Sequence, residues 1–301
     1  MPDVSTIDLQ FLGHPRAIAA YLVRAGDDLA LIECGPHSTH EHLLSGLRQA
    51  GVTPSDIRHV LLTHIHLDHA GGAWWWAEQG AMIHVHPFGE QHLADPVKLI
   101  SSATRIYGDQ MDRLWGDIRP VPRAQLRTVR DLDTITIGSL ELIAHETPGH
   151  ARHHHAFQLG DTIFAGDIAG ITIPGHDLIS VPTPPPEFDL EVWIASIRRL
   201  VSLRPSRLYP THFGAVQHPR EHLRRAEKTL REHTAYVANH HQRGMEPEAI
   251  VREYIDWATD AALHAGLTPA ERAAYLSDNV LQMSVHGILR YLDTRPVDRT
   301  A

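Results

Sequence analysis

The sequence predicts an α+β fold whose last portion is purely helical. Three observations carry that expectation. Short apolar runs broken by turn residues recur from Ile7 to Tyr209, as half-buried strands do. Two stripes lie between them at helical spacing: Leu43, Leu44 and Leu47, then Trp193, Ile194, Ile197 and Val201. After His218 only helical patterning is left, so residues 1–217 are expected to form a sheet-bearing domain and 218–301 a helical C-terminal appendage.

In chain order, strands are expected at Ile7–Leu12, Ala17–Arg24 and Leu29–Glu33, with Gly26-Asp27-Asp28 as the hairpin turn between the last two. Gly35-Pro36 stops the third strand, and Ser38 or Thr39 caps a helix through Ala50. Thr53-Pro54-Ser55-Asp56 is a turn, His59–Thr63 a buried strand, and a helix then follows Gly71-Gly72 before a strand at Met82–Val85. Asp95–Arg123, with Tyr107, Trp115 and several prolines, reads as an irregular insertion. Strands resume at Thr134–Ile137, Leu140–Ala144, Ala156–Leu159 and Thr162–Ala165, the last two joined by a Gly160-Asp161 hairpin. Pro182–Pro186 is a stiff extended loop, and Arg207–Tyr209 a short strand ending at Pro210-Thr211-His212. Leu223, Ala226, Leu230 and Val237 mark one C-terminal helix, and Leu281, Val285, Ile288 and Leu292 another. Thr268-Pro269-Ala270-Glu271 is a helix start. This end either closes over a site or only packs against a sheet.

With 301 residues and 43 % hydrophobic content the chain can bury a large core. No window approaches the ~18 uninterrupted apolar residues of a membrane span. The first ten residues lack the basic-then-apolar order of a secretory signal, so a cytoplasmic location is expected. The single cysteine, Cys34, excludes an internal disulfide framework and reads as a small buried residue at a strand end. A formal charge of −9 opposes phosphate-backbone binding. The expected partner is therefore a small-molecule substrate, with no nucleic acid and no membrane, and a homodimer is left open.

Most of the 25 histidines are expected at the surface. Those between Leu61 and Gly72 are not: His64, His66, Asp68 and His69 crowd six positions directly after an apolar run. Together they are costly unless a cation holds them. His64 and His66, one residue apart, can reach one ion from the same side, whereas Asp68 and His69 point apart, which suits two neighbouring ions. Gly71-Gly72 lets the chain turn sharply there.

The run His64-x-His66-x-Asp68-His69-x-Gly71 resembles the signature of the metallo-β-lactamase superfamily, and Thr147-Pro148-Gly149-His150, Phe164-Ala165-Gly166-Asp167 and Pro210-Thr211-His212 follow in that family's order. The resemblance implies a four-layer αβ/βα sandwich of two mixed sheets flanked by helices, with metal ions at a sheet edge. It places His64, His66 and His150 on a first ion, Asp68, His69 and His212 on a second, and Asp167 between them. Two divalent ions are implied, zinc by preference, with iron or manganese as alternatives. The implied reaction is hydrolysis of an ester-like bond, a thioester or lactone, by a hydroxide bridging the ions, with Asp68 or a neighbouring histidine managing the leaving-group proton.

Within the superfamily, His69 and Asp167 argue against a β-lactamase and His66 against a diiron oxygen reductase. The rival function is a mononuclear iron sulfur dioxygenase. A phosphodiesterase or nuclease, and a metal-binding scaffold without catalysis, rank behind it. The stretches around His150-Ala151-Arg152-His153-His154 and Pro184-Pro185-Pro186-Glu187-Phe188-Asp189 resemble a little-characterised single-chain branch with a helical C-terminus. His153 and His154 are accordingly catalytic candidates beside Asp68, as proton shuttles or as partners of the ligands, and His155 shares that context. His84 and His86 are expected to be structural. Among Trp74, Trp75 and Trp76, some rings are expected in the core and one toward the substrate, with Tyr209, Tyr107 and Trp115 as weaker pocket candidates.

Overall fold

The computed structural model describes residues 2–294. Its first sheet sets β1 (Asp3–Asp8), β2 (Ala19–Ala25), β3 (Asp28–Ile32), β4 (His59–Leu61), β5 (Met82–Val85) and β6 (Leu126–Thr128) side by side in chain order. The first three strands run antiparallel and the last four, β3 to β6, parallel. Parallel neighbours need crossovers, and helices supply them. α1 (His40–Gln49) leads into β4, α2 (Leu67–Ala70) and α3 (Ala73–Glu78) into β5, and α4 (Pro87–Ala94), α5 (Val97–Tyr107) and α6 (Met111–Trp115) into β6.

The second sheet has the order β13-β10-β9-β8-β7, built from β7 (Thr134–Ile137), β8 (Leu140–Glu146), β9 (His155–Leu159), β10 (Thr162–Gly166) and β13 (Arg207–Pro210). Between β10 and β13 the chain forms a two-stranded ribbon, β11 (Ile171–Thr172) with β12 (Ile179–Ser180), and then α7 (Leu190–Ser202). α8 (Pro219–Gln242), α9 (Pro247–His264), α10 (Pro269–Tyr275) and α11 (Asp278–Thr294) complete the described chain.

Alternation along the strands makes the layers. On β2, Ala19, Tyr21 and Val23 face the second sheet and pack with Ile135, Leu142, Phe157, Phe164 and Tyr209. Ala20 and Leu22 face the other way, toward Leu43 and Leu47 of α1 and Trp76 of α3. On the far side, Ile163 and Leu208 pack under Trp193, Ile197 and Leu200 of α7 and under the stripes of α8, α9 and α11. This is the expected four-layer αβ/βα sandwich. The boundary expected at 217/218 falls just before α8, yet residues on both sides of it share one core. Residues 295–301 of that appendage lie outside the described residues.

Several boundaries differ from expectation. β1 ends at Asp8 because its carboxylate accepts the Gln10 N–H at 3.0 Å and Gln10 and Leu12 turn left-handed, which leaves Phe11–Gly13 as a short 3₁₀ turn. β4 stops at Leu61, and Thr63 turns to reach Glu33. The Asp95–Arg123 stretch is mostly helical rather than irregular. Leu99, Ala103 and Tyr107 repeat at helical spacing, but they cover a local cluster with Leu67 and Trp115 instead of a sheet, so the pattern is short. Thr268 and Glu271 form the expected capping box of α10. No helix among the described residues is long and apolar enough to cross a membrane.

Candidate metal centre

The floor of the site is made by strand ends. Past β4 the chain delivers His64 and His66, and α2 turns Asp68 and His69 inward. Gly71 caps the end of α2 with right-handed backbone angles (φ −58°, ψ −31°), not left-handed ones. A Cβ there would lie 2.5 Å from the Leu67 carbonyl oxygen and 3.1 Å from Pro36, so close packing explains it. His150 follows β8, Asp167 follows β10, and His212 follows β13. Gly166 before Asp167 has φ +54°, and a Cβ on it would meet His154 Nε2 at 2.4 Å. Only glycine fits, and the Asp167 N–H can then donate to that nitrogen at 3.1 Å.

All seven expected ligands converge. His64 Nε2 and His150 Nε2 each stand about one hydrogen-bond length from His66 Nδ1, at 2.9 and 3.0 Å. Asp68 Oδ2 is 3.4 Å from His212 Nε2 and 3.7 Å from His69 Nε2. Asp167 faces both groups: Oδ2 lies 3.4 Å from His150 Nε2, and Oδ1 lies 3.2 Å from His69 Nε2 and 3.6 Å from His212 Nε2. His64, His66 and His150 can each offer an atom to one ion, and so can Asp68, His69 and His212.

The protonation chemistry fits a cation. The outward nitrogens are anchored on oxygen: His69 Nδ1 on Glu33 at 3.0 Å, His150 Nδ1 on the Pro182 carbonyl at 3.1 Å, and His212 Nδ1 on the Ala17 carbonyl at 2.8 Å. A ring that donates outward turns an Nε2 lone pair inward. Inside, His69 Nε2 and Asp167 Oδ1 are buried and complete no hydrogen bond. Burial, and the neighbouring imidazoles, push His64 well below the ordinary histidine value and His150 down to about 4. Against burial, the carboxylates of Asp167, Asp68 and Glu33 pull His69 up, and Asp167 and Asp68 do the same to His212. Burial opposes ionisation of Asp68 as well, yet His69 and His212 hold it at about 2. Two anionic carboxylates thus sit between His64, His66 and His150, which are kept neutral and present lone pairs, and His69 and His212, which hold a proton that a cation would displace, a donor set suited to zinc, iron or manganese.

Sequence reasoning missed Glu33. It is fully buried at the end of β3 with φ +64°, and one oxygen, Oε1, gathers His69 Nδ1, Thr211 Oγ1 at 3.0 Å and the Thr63 hydroxyl. A lone carboxylate closing an otherwise apolar strand was the available signal. His153 and His154 part company. His153 lines the cavity above the floor, its Nε2 3.5 Å from Glu187. His154 is fully buried behind the floor, with Nδ1 on the Thr147 hydroxyl at 2.8 Å and Nε2 on the Asp167 N–H. With both nitrogens engaged it positions Asp167, and that is not the placement a proton shuttle requires.

Above the floor lies a cavity of about 630 Å³. Its walls are α5 and α6 with Tyr107 and Trp115, the 182–186 loop, and α10 and α11 with Tyr275 and Met283. None of Trp74, Trp75 and Trp76 lines it. Trp74 and Trp76 are buried beside α1, and the Trp75 ring lies tilted against His40, 4.0 Å between centroids. Tyr209 is likewise in the core, between Tyr21 and Phe164. His84 pairs with His59 at 3.0 Å, a structural role as expected. Cys34 is buried, its thiol on the His69 carbonyl.

Residues 14–212 match the model of the metallo-beta-lactamase superfamily. The chain belongs to that superfamily. A metallo-beta-lactamase fold-containing protein of Sulfurisphaera tokodaii is 28 % identical over 162 residues, which covers 52 % of this chain and 61 % of that protein. An atrochrysone carboxyl ACP thioesterase of Aspergillus fumigatus is 27 % identical over 198 residues, covering 65 % of this chain and 37 % of that one. The chain thus spans less than two thirds of the length of either curated relative. In fold it is similar to the crystal structure of a metallo-beta-lactamase family protein of Thermus thermophilus, with a TM-score of 0.66, 19 % identity, and coverage of 97 % of this chain and 93 % of that one.

Proposed function

We propose that the protein is a metal-dependent hydrolase of an ester-like bond, a thioester or lactone with an apolar acyl part, acting through two divalent ions, zinc by preference. The observation that carries this reading is Asp167, whose two oxygens face two separate sets of ligands at the floor of a largely apolar cavity. The thioesterase named among the relatives supports the choice of bond.

His64, His66 and His150 would hold one ion, Asp68, His69 and His212 the other, and Asp167 would stand between them. Ions so held supply Lewis acidity toward the substrate carbonyl and a hydroxide nucleophile near neutral pH, since bound water can lose its proton at a pKa of about 7. The remaining work falls to the chain. Tyr107, Trp115 and Met283 exclude water from around the acyl group and orient it. Asp68 lines the cavity with its side chain about a quarter exposed (26 %), so its carboxylate can take a proton and return it to the departing sulfur or oxygen. His153 is the nearby second candidate for that proton. The same reading takes a small molecule as partner and the cytoplasm as compartment, where Cys34 stays reduced.

The test is metal quantification followed by a screen of thioester, lactone, phosphodiester and β-lactam substrates. Thioester or lactone turnover is expected, reduced by roughly a thousandfold or more in Asp167→Ala, which should also release both ions held by the floor. Asp68→Asn should cut turnover more than metal content. A single iron with oxygen uptake, preferred phosphodiester or β-lactam cleavage, or full activity in Asp167→Ala would overturn the proposal.

A further inference from the structure

A second cluster of ligating side chains lies outside the cavity. β8 and β9 are antiparallel, with Glu146 directly opposite His155, so the two side chains share a sheet face. His86 arrives from the end of β5, where it caps α4: its Nδ1 accepts the Phe88 N–H at 3.0 Å. That bond turns Nε2 toward Glu146, 3.4 Å from Oε1. The His155 ring stands 4.8 Å from the His86 ring. One donor atom from each of the three lies within 4.8 Å of the others.

His155 is the telling residue. It is fully buried, and neither ring nitrogen has a hydrogen-bond partner. A buried polar group left so is destabilising, and this ring has two. Burial, with His86 close by, pushes its pKa down to about 3, so the ring is neutral and keeps a lone pair for a cation. Glu146 is partly exposed at the rim, 38 % for its side chain, which leaves solvent access for one more ligand. The charges nearby divide: Arg130 opposes a cation beside His86, Glu146 and Glu187 favour one, and Asp131 near His155 is tied to Arg199 at 2.7 Å.

We propose that His86, Glu146 and His155 hold a divalent cation of the zinc type, separate from the ligands at the cavity floor. Two imidazoles, one carboxylate and a water complete a tetrahedral set. The ion would staple the β5–α4 corner of the first sheet to β8 and β9 of the second, two residues from His153. None of the three residues lines the cavity, so the ion plays no part in turnover.

The experiment compares zinc content, melting temperature and hydrolase activity of the parent with His155→Phe and Glu146→Ala. His155→Phe matches the ring in size and removes both unpaired nitrogens. Each variant should hold one zinc per chain fewer than the parent, keep activity within about twofold, and melt lower than the parent in zinc but not after chelation. Without a bound ion the sign reverses: His155→Phe would melt higher than the parent at unchanged zinc content, and that result overturns the proposal. Because the readout is a difference of one ion, it holds whatever the cavity floor binds. Cobalt(II) gives a second check in an Asp167→Ala/His150→Ala background. Ligand-field absorption that disappears on adding Glu146→Ala supports the site, and absorption unchanged by Glu146→Ala, or none at all, refutes it.

Discussion

At the residue scale, Glu33 carries more than any side chain that would touch metal or substrate. Its Oε1 accepts from Thr63 and His69 of one stretch and from Thr211 of another far along the chain, and it does so from a left-handed backbone conformation that costs about 1–3 kcal/mol. Strain of that size persists only where the surroundings over-determine it. The carboxylate fixes the His69 tautomer and raises the basicity of its inward nitrogen. Glu33→Gln keeps the shape and removes the charge, so zinc affinity at the floor should fall by about 10–100-fold with little change in melting temperature of the metal-free protein. Competition with a chromogenic chelator measures this, and unchanged affinity would refute the role. The floor ligands were legible because four of them are near neighbours in sequence and carry chemistry that a fold does not need. Glu33 was not, since it meets Thr63 and His69, and then Thr211, only in the folded chain.

At the element scale, the insertion between β5 and β6 builds one side of the cavity above the floor. α5 and α6 bring Leu99, Ala103, Tyr107 and Trp115 into a small cluster with Leu67, and Trp115 stacks on Phe11 at 5.7 Å and meets Tyr107 edge-on at 5.1 Å. These rings form one wall of the cavity and Met283 of α11 another, with the Tyr107 hydroxyl 3.9 Å from the Met283 sulfur. Of the two alternatives for the C-terminal helices, packing on a sheet alone does not describe them: α8 packs on the second sheet, while α10 and α11 line the cavity. Trp115→Ala should remove about 2 kcal/mol of acyl burial, seen as a KM raised roughly 30-fold for long-chain thioesters and almost unchanged for acetyl thioesters. A KM raised equally at every chain length would mean that the ring shapes the floor instead. This insertion was illegible as helix because its apolar face is short and partly open, with Val97 67 % and Ile106 46 % exposed, whereas the stripes of α7 and α8 stand against a full sheet.

At the scale of the whole molecule, the sandwich is stabilised by histidines that must stay neutral, and this sets its response to acid. The layering was expected from the resemblance that the His64–Gly71 run and its later partners carry, but not the cross-sheet contacts such as Tyr21 with Phe164 and Tyr209, or the β4–β5 pairing that buries His84 against His59. Burial above all, then His59 and Arg127, lowers the His84 pKa to about 4 from an ordinary 6.5. Burial lowers His40, His145 and His222 in the same direction. The unfolded chain takes a proton on His84 as pH falls below about 6.5, while the folded chain refuses it until about 4, so the unfolded state binds more protons throughout that window. The stability due to the neutral ring is therefore complete above 6.5, falls with pH, and is lost by about 4, a drop of roughly 3 kcal/mol for this residue. Urea unfolding of the parent and of His84→Gln at a series of pH values isolates it, because acid release of metal affects both proteins alike. The parent should be the more stable at pH 7, with its advantage shrinking steadily toward pH 4. Parallel curves across that range would show that His84 is not the group that takes the proton.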